Sequence, residues 1–480
     1  MNNFQSFNIP GQARLPIVWR TPALIFLGLG CISLLLAEYT APDNWKVLGF
    51  ICITSLIYAF QVLQRELRDG AMRLITDPFL ILIAAFSLYD LLGALLPVLG
   101  SDDQVYLALN WYPTTAQDAV YLTGINLIGL ATLLLSASFF NGKSMDVFMR
   151  PFIVIFADLP IRLIFWLFAI IGSSISLHIF YIDISDNEIV NGSIRILSSL
   201  AMIAILIGII YRGKGEKFLY IVAIFLTLIH SLSGFILMSK AAILSPFLVL
   251  MIAFYIRKQN AVILIITVVI TSISLTFLMK PILDGRAILA VSPDKSISAR
   301  LDILRQVYSA DNNNINNDPG PGAWYRICYI GAQNAGVDFY NHDQGGNDID
   351  NVGWVFLPRI FFKNKPVISN SGSDFNAKVT GSDTSSSSMG VFISGYYNLG
   401  WLGLFAVSII SAIILSLFSA FSRVVATYGA VILLPVAQIG SYIAFRVDGD
   451  FLNDYLGLFS MIMSPLLILI LIVNFYRSIQ

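Results

Sequence analysis

Cysteine and histidine are nearly absent from this chain of 480 residues, which holds three of each. Cys31, Cys52 and Cys328 are scattered, so no disulfide framework and no cysteine-based metal site is encoded. Charge is scarce as well: charged residues make up 12% of the chain, against about 25% in soluble proteins. The formal net charge is zero, and no basic helix or basic patch interleaved with aromatics marks a nucleic-acid surface. HExxH, CxxC, GxSxG and a Gly-rich phosphate cradle are all missing, which argues against zinc hydrolysis, thiol redox chemistry and hydrolase-type acyl transfer. No clustered carboxylate motif for a divalent metal is visible, and the reading calls for no cofactor. Nor is there a fixed-period repeat, or a pair of broken helices recurring in two halves as in many transporters.

What is present is apolar length. With 57% hydrophobic residues and roughly 20 apolar residues per bilayer crossing, spans fall near Thr21–Glu38, Lys46–Leu63, Pro78–Leu99, Val120–Phe140, Ile161–Tyr181, Ser193–Tyr211, Phe218–Met238, Ala241–Ile256 and Ala261–Met279. Ser394–Ser419, Val425–Phe445 and Tyr455–Phe475 follow. The expected fold is an all-α polytopic membrane protein of about twelve transmembrane helices. It divides into residues 1–279 with helices 1 to 9, a large periplasmic loop at 280–392, and residues 393–480 with helices 10 to 12.

Cations give the orientation, because short cytoplasmic loops are enriched in Lys and Arg. One set of connections carries fifteen of them, among them Arg65, Arg68, Arg257 and Arg423; the opposite set carries only Lys46, Arg195, Lys240 and Arg446. Both termini are therefore expected in the cytoplasm. The start of the chain reads without a separate cleavable signal, its first apolar run being long enough to remain as an anchor.

The hydrophilic island from Lys280 to about Phe392 is the segment that a simple transporter does not need. Leu301, Leu304 and Tyr308 recur at helical spacing, predicting an amphipathic surface helix over Ser298–Tyr308 with Leu301 and Leu304 turned to apolar material. Asp311–Gly322 reads as a loop, Ala323 to about Tyr340 as helix-compatible, and Asn370–Gly390 as a polar surface loop. Ten cations and eleven acidic residues share the island; converging arginines there would suit a diphosphate at headgroup level. Inside the spans, Asp90, His178 and His230 are ionisable groups at membrane depth, which face cavities or partners rather than lipid. Lys240 occupies a very short outer connection, against the cation bias.

The run Leu357-Pro358-Arg359, then Lys365-Pro366, Phe375, Met389-Gly390 and Tyr396-Tyr397-Asn398-Leu399-Gly400-Trp401-Leu402-Gly403, resembles the Wzy-type oligosaccharide repeat-unit polymerases of O-antigen and exopolysaccharide pathways. Ser239-Lys240-Ala241 is similar to a Ser-Arg-Gly-like turn of that family, with lysine for arginine and alanine for glycine. The resemblance covers the topology of the whole chain, but its motifs are confined to Trp354–Gly403. It implies a bacterial inner-membrane glycosyltransferase acting at the periplasmic face on undecaprenyl-diphosphate-linked oligosaccharide. The implied partners are membrane lipid, a flippase and a chain-length regulator. Arg359 and Arg286 are then the expected catalytic cations, with Lys240, Arg300, Lys365 and Arg446 on the diphosphate. Asp338, His342, Asp343, Asp374 and Asp450 stay open as the base, Asp338 and His342 foremost. A ligase of related architecture and a flippase or exporter of lipid-linked oligosaccharide are the alternative readings.

Overall fold

A computed structural model of the chain describes residues 19–68, 77–154, 161–181, 200–211, 216–236, 240–258, 297–310, 327–355, 371–381 and 387–458, with single positions between these stretches. Among the described residues every regular element is a helix, and seven helices are long and apolar enough to cross a membrane. The expectation of an all-α membrane protein is met at that level. The spans expected at Ala261–Met279 and Tyr455–Phe475 lie wholly or mostly outside the described residues.

In chain order the helices are α1 (Arg20–Tyr39), α2 (Trp45–Arg68), α3 (Pro78–Leu99), α4 (Asp102–Asn110), α5 (Ala116–Phe140) and α6 (Lys143–Val154). Then come α7 (Ile161–Tyr181), α8 (Leu200–Ile210), α9 (Glu216–Ile236), α10 (Lys240–Lys258) and α11 (Ile297–Ala310). The last four are α12 (Ile330–Asn341), α13 (Ser371–Thr380), α14 (Val391–Tyr428) and α15 (Leu434–Phe445). Two compact units emerge: a middle unit, Leu159–Ala323 with Met1–Pro10, and a flanking unit, Gly11–Asp158 with Trp324–Gln480. This division cuts across the island, giving its first part to the middle unit and its second to the flanking unit.

In the middle unit α8, α9 and α10 pack on one another, and α7 packs on α8 and α9. α11 forms where the spacing of apolar residues predicts it, but with a different buried face. Ile303, Leu304 and Val307 are buried against Ile243 and Ile282, whereas Leu301 is 46% exposed. Leu304 is as expected and Leu301 is corrected. Ile303, Leu304 and Val307 fall on one stripe at i, i+1 and i+4, and Leu301 lies off it.

In the flanking unit α1 crosses α5 closely because Gly30 and Gly124 face each other: a Cβ on either would lie 3.1 Å from the other's carbonyl oxygen. Small residues that let backbones approach are the usual basis of helix association in lipid. Leu24, Leu35, Phe50 and Phe60 are 60% or more exposed on α1 and α2, rows that lipid covers in a membrane protein. α5 starts on a capping box in which Thr115 Oγ1 accepts the Asp118 N–H and the Asp118 carboxylate accepts the Thr115 N–H. α3 starts with Asp77 capping Phe79 N–H and Pro78 in the first turn.

Two irregularities shape the rest of this unit. α3 is broken by a π turn at Ser87–Leu92 and a 3-10 turn at Gly93–Leu95, and breaks of this kind recur at functional sites. The Leu92 carbonyl accepts the Trp324 indole N–H at 2.8 Å. A Cβ on Gly93 would stand 2.0 Å from the Ile327 carbonyl oxygen, so only glycine lets that strand of backbone approach. The second irregularity is in α14, where Leu399 and Gly400 leave helical geometry, Gly400 at φ 60 and ψ −142. A Cβ on Gly395 would lie 2.7 Å from the Gly403 carbonyl oxygen and one on Gly403 2.0 Å from that of Gly395. Eight residues of straight helix span about 12 Å, so the chain folds back here into a short arm and a long one.

Asn370–Gly390, expected as a loop, contains α13, with Phe375 and Asn376 buried. Arg423, expected in a cytoplasmic loop, instead lies within α14. It is buried, with its guanidinium on Asp146 of α6 at 2.7 Å and on Ser419 at 2.6 Å.

Candidate functional site

The break in α3 and the turn at the end of α15 bring buried polar groups together inside the flanking unit. Asp90, on the π turn, accepts from Gln333 Nε2 of α12 at 2.9 Å, and Gln333 Oε1 accepts from Asn126 of α5 at 3.1 Å. All three are buried. α12 reaches this depth although it belongs to the polar island, because its inner face is Ile330, Gly331, Ala332, Ala335, Gly336 and Val337 with Gln333 in the middle.

Beside this chain lies a cavity of about 390 Å³, lined by Trp111, Cys328, Tyr329, Ser387, Ser388, Arg446 and Asp448, with Ala108, Gly331 and Ala332. Arg446 presents Nε and Nη2 to the two oxygens of Asp454, at 3.1 and 3.3 Å; Nη1 has no hydrogen-bond partner among the described residues. Tyr329 donates to Asp448 Oδ2 at 3.1 Å and Ser388 donates to the Asp448 carbonyl. Burial and the neighbouring Asp448 carboxylate push the Tyr329 phenol well above its usual range, so it stays a donor. Burial pushes the Cys328 thiol up to about 11, which leaves it neutral and a poor nucleophile.

Trp111 is the first ring of an aromatic cluster that continues beyond the cavity lining. Trp111 meets Phe375 at 6.4 Å between ring centres, Phe375 meets Phe339 and Tyr397 at 6.2 and 5.7 Å, and Tyr112 meets Phe339 at 6.1 Å. The Lys378 ammonium sits over Phe339 and Tyr397, 4.7 and 5.3 Å from their centres. Asp338 accepts the Tyr112 hydroxyl, and its Oδ1 lies 3.2 Å from Nδ1 of His342 one turn on. Burial and that bond to Asp338 push the Tyr112 phenol up to about 12.

Of the residues expected at a site, Arg446 lines the cavity. Asp338 lies on the last turn of α12 and His342 caps its C-terminus; Asp338 connects to the cavity wall through Tyr112, the neighbour of Trp111. Lys240 begins α10 and Arg300 lies on α11, both in the middle unit. Arg359, Arg286 and Lys365 lie outside the described residues. Asp450 serves as a helix cap, accepting from the N–H groups of Leu452 and Asn453 and from Ser394.

Gln333, Tyr329, Ser388 and Asp448 are members of the site that sequence reasoning passes over. Only Asp448 carried a signal, an acidic residue next but one to Arg446, itself among the few cations of the outer connections. No family model, no curated protein and no solved structure matches the chain.

Proposed function

We propose that the chain is an integral-membrane glycosyltransferase that polymerises undecaprenyl-diphosphate-linked oligosaccharide repeat units at the periplasmic face of the bacterial inner membrane. The observation that carries this reading is the cavity in which the Arg446 guanidinium, whose Nη1 has no hydrogen-bond partner among the described residues, stands with Trp111 in the same lining. A guanidinium N–H held in place by Asp454 is suited to a leaving diphosphate, because a preorganised cation stabilises charge as it develops. Aromatic faces such as that of Trp111 suit sugar rings.

In this reading the bond between the donor's terminal sugar and its lipid diphosphate breaks, and the diphosphate leaves against Arg446. The acceptor hydroxyl attacks the freed anomeric carbon and gives its proton to Asp338, whose carboxylate is oriented by Tyr112 and backed by His342. The resemblance adds Arg359 and Lys365 to the diphosphate side. The cation bias of the short loops supports cytoplasmic termini.

The test is purified full-length protein with a lipid-diphosphate-linked repeat unit, followed for a ladder of lengthening products. A ladder with wild type, and one that forms far more slowly with Arg446→Lys or Asp338→Asn, is expected. Movement of the lipid-linked substrate across vesicles with no new glycosidic bond would overturn the proposal in favour of a flippase.

A further inference from the structure

Beside the fold-back of α14 lies a second cavity, of about 290 Å³. Its floor is Gly403, Ala406, Val407 and Ile410 of the long arm. These fall at i, i+3, i+4 and i+7, a single stripe of one helix, and they cover about 10 Å of its length. Phe451 and Leu452 complete the apolar lining. Leu402, Phe405 and Ile410 are exposed on the same arm, so the floor runs out onto a surface that lipid covers. The polar part of the lining is one connected group at the short arm: Asn398 Oδ1 accepts the Asp348 N–H at 2.9 Å, and Asn398 Nδ2 donates to the Ser394 carbonyl at 2.9 Å.

The charge of this cavity has one sign. Asp348 lines it, and Ser394 Oγ donates to a further carboxylate, Asp450 Oδ2, at 3.2 Å. Among the described residues no cation lines it and none pairs with Asp348; Lys378 is held on the Gln344 carbonyl and the Tyr397 hydroxyl. Burial pushes the Asp348 carboxyl above its usual range, and Asp374 adds to the push. A positive group beside it offsets both. An apolar stripe joined to an unpaired acidic corner suits an amphiphile whose alkyl chain lies on the stripe and whose head carries N–H donors. A diphosphate head meets only acceptors and negative charge here.

We propose that this cavity binds a membrane lipid with a primary ammonium head, its ammonium on Asp348 and one of its chains along the stripe from Gly403 to Ile410. This lipid is distinct from the diphosphate carrier assigned to the Arg446 cavity, and the site stands whether or not the chain joins sugars. A quaternary ammonium keeps the charge but has no N–H to donate, so the corner separates ethanolamine heads from choline heads. A lipid seated there also touches Gly395 and Gly403, the two glycines of the reversal.

Full-length protein in detergent is mixed with equimolar phosphatidylethanolamine, phosphatidylcholine and phosphatidylglycerol of identical chains, and the first bound lipid is read by native mass spectrometry. One additional charge-assisted hydrogen bond gives phosphatidylethanolamine an excess of about 10-fold over phosphatidylcholine. Asp348→Asn, which keeps the shape, brings that excess close to unity. Asp350→Asn, at an exposed neighbour outside the lining, keeps it. Ala406→Phe, which fills the floor, lowers binding of the first lipid whatever its head. Should Ala406→Phe fail to fold, Asp348→Asn and Asp350→Asn carry the comparison. Equal occupancy by the three lipids, a preference for the anionic phosphatidylglycerol, an ethanolamine preference that survives Asp348→Asn, or unchanged binding in a folded Ala406→Phe would overturn the site.

Discussion

Gly395 and Gly403 meet backbone to backbone across the reversal at Leu399 and Gly400, each glycine lying where the other's carbonyl leaves no room for a Cβ. The reversal needs Gly400 as well, at a φ of 60 with an extended ψ that side chains other than glycine's hardly populate. Gly403→Ala and Gly400→Ala are therefore expected to lower the unfolding midpoint in detergent, Gly400→Ala through backbone strain of about 1–3 kcal/mol and Gly403→Ala through direct overlap. Gly28→Ala, where a Cβ meets nothing within 4 Å, leaves the midpoint unchanged or slightly raised. Equal midpoints for all three variants would rule out the folded-back arm.

Arg423 and Asp146 tie the long arm of α14 to α6 through a guanidinium that is 8% exposed. Removing one partner of a buried pair costs about 3–5 kcal/mol, because the other is left uncompensated. With Asp146 29% exposed, the expected loss for Arg423→Ala lies at or below the lower end of that range. The double replacement Arg423→Met with Asp146→Leu recovers most of it. A double variant as unstable as the sum of the two single ones would mean that the residues do not interact.

These elements divide clearly in how far they can be read from sequence. The span Pro78–Leu99 is legible because Asp77 and Pro78 mark its start and a long, mostly apolar run follows. Its π turn is not, since Ser87-Leu88-Tyr89-Asp90-Leu91-Leu92 contains no proline or glycine. Asp90 stands out as a carboxylate at membrane depth, but its partner Gln333 is a neutral amide 243 positions away in a polar island, and nothing local distinguishes it from a surface glutamine. α13 is missed because a ten-residue helix with Phe375 as its one large buried side chain has no apolar period to detect. Arg423 reads as a loop cation because sequence cannot show that Asp146 lies beside it.

Asp450 gives a pH dependence. Burial, with the Asp348 carboxylate nearby, raises its pKa to about 6, against about 3.9 when unfolded. Its contribution to stability is thus full below pH 4 and is lost as pH rises through 6, because the unfolded chain releases the proton first. Asparagine keeps an oxygen for the Leu452 and Asn453 N–H groups and does not titrate. Asp450→Asn is expected to reduce the fall of the unfolding midpoint between pH 4 and 6.5. An unchanged slope in the variant would show that Asp450 titrates as an ordinary carboxylate.

Arg446 provides the sharpest test of the cavity. Two of its nitrogens are spent on Asp454, and the third is what an anion in the cavity can use. Lysine keeps the charge but has no planar fork with which to grip Asp454 and aim a further N–H at a diphosphate. If Arg446 meets the leaving group in the transition state, Arg446→Lys loses about 2–4 kcal/mol of stabilisation, or about 30- to 1000-fold in turnover. Asp454→Asn removes the positioning partner and leaves the cation in place. It should weaken turnover less than Arg446→Lys while raising KM, since the guanidinium is then no longer held toward the cavity. The two variants are compared at equal protein level in the product-ladder assay, with folding checked by thermal unfolding. Full turnover in a folded Arg446→Lys would remove Arg446 from the diphosphate contact and leave the cation role to Arg359 and Lys365.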